Sequence, residues 1–240
     1  MLLILLSWLY ILVVSSVIGV SINRVFDLKD QDSFITLFFG FFGIALFAGF
    51  WAIPFAINVE FHITLFILIL ILSVLNRKLL SLYFNRIKAE IKQLSIFFKF
   101  LLLLISILIL AQCASPPFII DNESYYIQTI KWLNEYGFVN GLVNLHMFLG
   151  QTSGWHILQS AFNFSFLYDS FNDLSGLALL LGNAYALLKL NAYITKKEPS
   201  KLNLVFGLFP LWNVFFFQFI SAPSPDIAIY AVSYTHLTLP

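Results

Sequence analysis

The stretch Ile96–Tyr126, IFFKFLLLLISILILAQCASPPFIIDNESYY, contains both kinds of sequence from which this chain is built. Residues 96–114 are almost entirely apolar, and as a helix they are long enough to cross the ~30 Å hydrocarbon core of a bilayer. Pro116 and Pro117 then end the apolar run. From Asp121 onwards the sequence becomes polar and aromatic. The stretch therefore predicts a membrane-spanning helix that leads into a polar loop.

The composition of the whole chain extends this prediction. The 240 residues are 60% hydrophobic and only 10% charged, and the mean hydropathy is +0.89, whereas soluble domains are roughly 25% charged. The apolar runs lack the alternation of barrel strands. We therefore predict an all-α, polytopic transmembrane helical bundle of about six spans, with two juxtamembrane surface helices in an outer loop.

The predicted spans follow from the apolar runs. They lie near residues 2–22, 34–57, 62–80, 96–114, 174–194 and 202–220. The outer loop is then 115–173. Within it, Trp155–Tyr168 is apolar and could be an additional span. Its length of ~14 residues suits a segment that lies on the membrane better than one that crosses it.

The distribution of charge predicts the orientation. Alternating the spans places every lysine and arginine on one side except Lys131, and the positive-inside rule makes that side cytoplasmic. We thus expect a multi-pass protein of the cell membrane, specifically a bacterial inner membrane, with its N-terminus outside. Residues 76–99 are basic and amphipathic, which predicts a helix on the inner leaflet. A net charge of +1 gives no nucleic-acid footprint.

The outer loop has the pattern of a surface helix. Asp121 has the position of an N-cap and Gly137 that of a C-cap. Between them, Tyr126, Ile130 and Leu133 share one helical face. A second helix is predicted at Trp155–Phe166, after a glycine-rich turn. Both are expected to lie on the membrane surface.

Two acids of this loop, Asp121 and Glu123, allow two interpretations. A carboxylate at a helix start can cap the helix, a contribution of about 1 kcal/mol. It can also act as a general base or bind a metal ion at the outer face of the bilayer. Asp226, which follows two prolines after the last predicted span, lies on the same side and could face the same site. His146 could orient a phosphate or a sugar.

An acidic motif directly after a span, followed by two surface helices, resembles the GT-C superfamily of membrane glycosyltransferases. The phrases YYIQ at Tyr125–Gln128 and GLVNLH at Gly141–His146 also resemble an uncharacterised bacterial family of multi-spanning membrane proteins. The resemblance implies transfer of a sugar from a polyprenyl-phosphate carrier, with Asp121 or Glu123 as the catalytic acid. A divalent cation is a possible cofactor.

The same resemblance implies roles for other residues. Tyr125, Trp132 and Trp155 would stack on sugar or contact the carrier lipid. Lys131 is the basic residue available for the donor phosphate, and Asp226 matches a second acidic position. The expected partners are membrane lipid and a polyprenyl-phosphate sugar donor.

Two other functions stay open from the sequence. Pro210, Asn213 and Gln218 in the last predicted span are typical of a transporter or flippase, and the small residues of the second span suit a non-catalytic assembly protein. The resemblance also implies further spans, so residues 1–232 are expected to be the N-terminal part of a longer transmembrane domain. Residues 233–240 look like a non-native tail.

Overall fold

The computed structural model describes residues 1–28, 32–168, 171–196, 204–205, 207–213 and 217–227. These residues form helices, turns and connecting segments, and no strand occurs among them. The α-helices are α1 (Leu2–Val25), α2 (Ser33–Ala52), α3 (Val59–Leu75), α4 (Arg77–Gln93), α5 (Ile96–Cys113), α6 (Ile127–Glu135), α7 (Gly154–Ala161) and α8 (Ser175–Lys196).

Four of these helices, α1, α2, α5 and α8, are long and apolar enough to cross a membrane. They cover the predicted spans at 2–22, 34–57, 96–114 and 174–194, although α2 ends at Ala52, before Pro54. Helix α3 ends at Leu75, and an 89° bend leads into α4. The predicted continuation of the third span to residue 80 is therefore not found, since residues 77–80 begin α4.

The predicted span at 202–220 and the tail at 233–240 fall partly or wholly outside the described residues. The described part of 202–220 includes two short 3₁₀ turns, Phe209–Trp212 and Phe217–Phe219. No helix of spanning length is found there among the residues that were placed.

The outer surface of the helices is apolar. Side chains with more than two fifths of their area exposed include Leu6 of α1, Phe50 of α2, Phe66 of α3 and Phe100 of α5. Water would not tolerate so large an exposed apolar surface on a soluble monomer. Together with the apolar helices, this surface identifies a membrane-embedded protein.

Helices α1 and α2 pack backbone against backbone. A Cβ atom on Gly40 would lie 1.8 Å from the carbonyl oxygen of Ser15, and one on Gly19 would lie 1.9 Å from that of Thr36. Ala48 and Ala52 farther along α2 are fully buried. The small residues of the second span thus allow the close approach predicted for them.

Contacts between helix ends bring several basic residues together at one end of the bundle. Arg24 at the end of α1 donates to the Leu75 carbonyl at the end of α3, and Lys189 of α8 lies 3.6 Å from Asp32 at the start of α2. Asn191 of α8 accepts from the Ser95 amide just before α5. We call this end, with α4 beside it, the basic end. Residues of the 115–173 segment lie at the opposite end, the loop end.

At the loop end, the helices of the 115–173 segment pack on the rest of the protein. The apolar face of α6 is buried as its pattern predicts: Tyr126, Ile130 and Leu133 are at most 3% exposed. That face packs on protein, however, and not outward to lipid. Asn134 of α6 donates to the carbonyls of Ile57 and Ser160, which ties α6 to the α2–α3 link and to α7.

Gly137 ends α6 in the predicted way. Its φ is +74°, a conformation that costs a side chain roughly 1–2 kcal/mol. A Cβ there would also lie 2.5 Å from the carbonyl oxygens of both Ala52 and Phe55. The second loop helix is shorter than the predicted Trp155–Phe166, because α7 ends at Ala161. At this length it cannot cross a bilayer.

Candidate loop-end site

A cavity of about 790 Å³ lies at the loop end. Its walls come from the start of α1, the link after α5, the beginning of the loop helix, and the chain near residues 221–223. Glu123, Lys131 and Tyr168 line it beside the apolar residues Leu2 and Leu3. The volume is within the range of small-molecule sites. Of the predicted site residues, this cavity collects Glu123 and Lys131.

A π-helical turn, Asn122–Tyr126, precedes α6 and positions the acid. Asn122 is 1% exposed, and its Nδ2 donates to Glu123 Oε1 at 2.9 Å. The Oδ1 atom of Asn122 is buried without a hydrogen-bond partner among the described residues. π-Turns inside helices often occur at functional sites, and this one places an amide and a carboxylate on one cavity wall.

Asp121 does not cap the helix with its side chain. It has helical backbone angles, and its side chain makes no capping hydrogen bond. Asp121 thus holds the N-cap position of this turn, as predicted, but the expected capping hydrogen bond of its side chain is absent. The observation leaves the carboxylate of Asp121 available for other interactions.

Asp121 and Asp226 both lie close enough to act on Tyr125. Burial is the main cause that raises the pKa of Tyr125, followed by Tyr126 and then by the charges of Asp121 and Asp226. The Tyr125 ring contacts those of Tyr126 and Phe148, with centroid distances of 4.5 Å and 5.0 Å. These three residues form an aromatic group that does not line the cavity, and the charges of Asp121 and Asp226 both act on Tyr125.

A buried carboxyl group, Asp173, lies behind the cavity. It is 1% exposed. Tyr168 donates a hydrogen bond to its Oδ1, and Ser7 Oγ of α1 lies 2.5 Å from the same atom. Burial raises the pKa of Asp173 to about 6, against the lowering effect of the Ser7 and Tyr168 hydrogen bonds. Asp173 thus joins α1, the cavity wall and the start of α8.

Asp173 was missed by the sequence interpretation. The available signal was its place directly before the apolar run of α8, in Asn172-Asp173-Leu174-Ser175. Asp226 also stands directly before an apolar run, and the sequence predicts it as a site residue for that reason. His156, to which the sequence alone gives little functional weight, is 2% exposed, and its ring centroid lies 5.4 Å from that of Tyr126.

Lys131 stands between two cavities. Its ammonium lies 5.4 Å from the centroid of the Phe171 ring, and both residues also line a second cavity of about 720 Å³. That cavity extends along α3 past His62 to Phe66. The side chain of Lys131 is therefore able to reach an anion in either space.

The other predicted binding residues lie elsewhere. Trp132 contacts the Tyr136 ring in a tilted arrangement, with centroids 5.0 Å apart, and does not line the loop-end cavity. His146 is exposed beside Phe148 at 5.4 Å, and Trp155 packs on the hydrophobic core. The structure does not bring these three residues to the cavity, so their predicted contact with a substrate has no geometric support.

The acids do not form a protein-only metal centre. No group of three or more His, Cys, Asp or Glu side chains converges on one point within the described part of the chain. Glu123 is held by an amide instead. A divalent cation at this site would need ligands from a substrate or from solvent.

Comparison with known proteins places the chain in one family. No curated protein and no solved structure matches it. The model of a family described as a domain of unknown function, DUF8201, matches residues 1–239. A match over nearly the entire length shows that the chain belongs to the DUF8201 family.

Proposed function

We propose that the chain belongs to a membrane glycosyltransferase of the GT-C kind, which takes a sugar from a polyprenyl-phosphate carrier at the loop end. The observation that carries the proposal is the 790 Å³ cavity, in which a carboxylate, an ammonium and a phenol adjoin the apolar start of α1. An amphipathic site of this kind suits a ligand with an apolar chain and a polar, anionic head.

The cavity offers a place for each part of such a donor. Leu2 and Leu3 are exposed apolar residues on its wall, suited to the first isoprene units. Lys131 supplies a cation for the phosphate, since an ammonium on a flexible stem is a common phosphate ligand. The sugar would then lie inward, between Glu123 and Tyr168.

Glu123 is the best candidate for the general base. Its Oε1 is held by the Asn122 amide, which leaves the second oxygen for a substrate. It would accept the proton of the acceptor hydroxyl while that oxygen bonds to the anomeric carbon. The bond from that carbon to the phosphate oxygen breaks, and the lipid phosphate leaves with the electron pair. Asp121 lies two residues before Glu123 and is the alternative base.

The orientation belongs to the same proposal. The basic end collects Arg24, Lys189 and the cationic helix α4, and the positive-inside rule assigns such an end to the cytoplasm. The N-terminus and the loop end then face outward. Polyprenyl-phosphate sugars would reach the site from the outer leaflet.

Asn213, one of the residues that favoured a transporter, has a simpler explanation. Asn213 exchanges two hydrogen bonds with Asn183 of α8, at 2.8 Å and 3.0 Å. Reciprocal amide bonds of this type hold membrane segments together. Asn213 is therefore satisfied by packing and does not favour a permeation path.

Transfer can be tested with the full 240-residue chain in proteoliposomes. The donors are decaprenyl phosphates that carry tritiated mannose, glucose or galactose, and the acceptor is a crude cell-envelope glycan. We expect tritium to pass from lipid to glycan with at least one donor. The Glu123→Gln variant should transfer at least about 100-fold more slowly, the usual loss when a general base is removed.

Glu135→Gln is the matched control, because Glu135 is an exposed acid on α6 that lines only the second cavity. It should transfer within about twofold of the parent rate, as expected for a residue outside the reaction. Parental transfer by Glu123→Gln would refute the assignment of Glu123. The proposed function itself fails if none of the three donors gives labelled glycan.

A further inference from the structure

The inner wall of the loop-end cavity presents buried oxygen atoms whose hydrogen-bonding capacity is unused. Asn122 and Ser221 both line the cavity and are 1% and 5% exposed. Asn122 Oδ1 and Ser221 Oγ have no partner among the described residues. Leaving such an atom unpaired destabilises the fold. A bound molecule that supplies hydrogen atoms would satisfy both oxygens.

Tyr168 adds a third acceptor. Its hydroxyl donates to Asp173, and a carboxylate can only accept. The one proton of the phenol is therefore committed to the Asp173 side. What Tyr168 offers to the cavity is its oxygen lone pairs. Ser7 contacts the same Asp173 oxygen at 2.5 Å and helps to fix this direction.

We propose that Asn122, Tyr168 and Ser221 form a subsite that accepts hydrogen bonds from the hydroxyl groups of a hexose head group. Lys131 on the same cavity would bind the adjoining phosphate. The subsite rests on the proposed function for the identity of the lipid carrier, but it concerns binding and not transfer. Tyr168 contacts the ligand directly, and Asp173 acts as a positioning residue behind it.

The test measures binding to the full chain in nanodiscs by calorimetry. The probes are citronellyl phosphate and citronellyl phosphates that carry mannose, glucose or galactose. The parent chain should bind at least one hexose-bearing lipid about tenfold or more tightly than the lipid without sugar, equivalent to two or more modest hydrogen bonds. Tyr168→Phe and Ser221→Ala should each reduce this preference about three- to tenfold. Neither should change the affinity for citronellyl phosphate.

Tyr136→Phe is the control, because this exposed tyrosine contacts Trp132 and does not line the cavity. It should leave the preference unchanged, and thermal unfolding should show all variants folded. The subsite is refuted if the parent chain binds no hexose lipid better than citronellyl phosphate. It is also refuted if both variants keep the full preference, or if both lose affinity equally for lipids with and without sugar.

Failure of this proposal is distinguishable from failure of the proposed function. A sugar preference that depends on Tyr168, in a chain that transfers no tritium, would retain the subsite and remove the transferase assignment. Transfer that depends on Glu123 without a preference at Tyr168 would retain the transferase and remove the subsite.

Discussion

His156 is a neutral histidine built into the loop end. Its Nδ1 accepts from the Ser153 amide at 3.5 Å, and its own amide donates to Ser153 Oγ at 3.2 Å. The ring is buried, and Nε2 has no partner within the described residues. Burial lowers the pKa of His156 to about 4, because the charged imidazolium would lose its hydration.

This lowered pKa predicts a loss of stability in acid. Between about pH 6.5 and pH 4 the unfolded chain binds a proton at residue 156 that the folded chain does not. The stability that neutral His156 contributes is therefore complete above pH 6.5 and is lost as pH falls towards 4. His156→Gln should remove this dependence, since glutamine at this position can keep the capping box. The parent should lose up to about 3 kcal/mol relative to the variant between pH 7 and pH 4.

Denaturant unfolding in detergent at several pH values measures this difference. Comparison with the variant is needed because Asp173 acts in the opposite direction. Its pKa is raised to about 6, so the folded chain holds more protons there, and that contribution is lost as pH rises through 6. A constant difference between parent and His156→Gln across the range would contradict the prediction.

Residue identity alone could not have ranked the acids. Asp121, Glu123 and Asp226 are recognisable because they stand beside apolar runs, and the charges of Asp121 and Asp226 both raise the pKa of Tyr125 in the fold. The buried contact between Asp173 and Ser7 joins residues 166 positions apart. No local pattern encodes such a pairing, because it depends on how α1 and α8 meet at the loop end.

At the scale of elements, periodicity predicted the helices better than their ends. Residues 163–165 show why α7 stops early: Asn163 Oδ1 accepts from the Ser165 amide, and Asn163 Nδ2 donates to Asn134. A side chain that binds nearby backbone competes with helix continuation. The π-turn at Asn122–Tyr126 was also not predicted, since the helical periodicity of this segment does not distinguish a π-turn from a regular α-helix.

The α1–α2 contact gives a prediction at this scale. Gly40→Ala would place a Cβ 1.8 Å from the Ser15 carbonyl oxygen, so the two backbones must separate. We expect the free energy of unfolding to fall by roughly 2 kcal/mol or more, as in overpacked cores. Thermal unfolding in detergent, or unfolding in a denaturing detergent titration, measures this loss.

Gly154→Ala is the matched control, because a Cβ at Gly154 at the start of α7 meets nothing within 4 Å. Alanine is also the better helix former, by about 1 kcal/mol. This variant should be as stable as the parent chain or slightly more stable. Equal effects of the two substitutions would show that the α1–α2 contact is looser than the glycine distances indicate.

At the scale of the whole molecule, charge and hydropathy determine most of the architecture. The apolar runs give α1, α2, α5 and α8, and the basic amphipathic stretch gives α4, with Tyr83 donating to the Ser33 carbonyl beneath it. Docking of the loop layer did not follow from these patterns. An apolar helix face looks the same in sequence whether it will meet lipid or, as at Leu133, the core.

The asymmetry of charge leads to a prediction about orientation. The single cysteine, Cys113, is buried, so introduced cysteines can be labelled over a low background. Gln128 on α6 and Lys88 on α4 are both exposed, at opposite ends of the bundle. In spheroplasts, a membrane-impermeant maleimide should label Gln128→Cys directly and Lys88→Cys only after permeabilisation, because cationic segments are retained in the cytoplasm.

Labelling in the reverse order would place the loop-end cavity in the cytoplasm and exclude a donor from the outer leaflet. Labelling of both without permeabilisation would show that the two exposed positions do not lie on opposite sides of the membrane, and the assignment of spans would have to change.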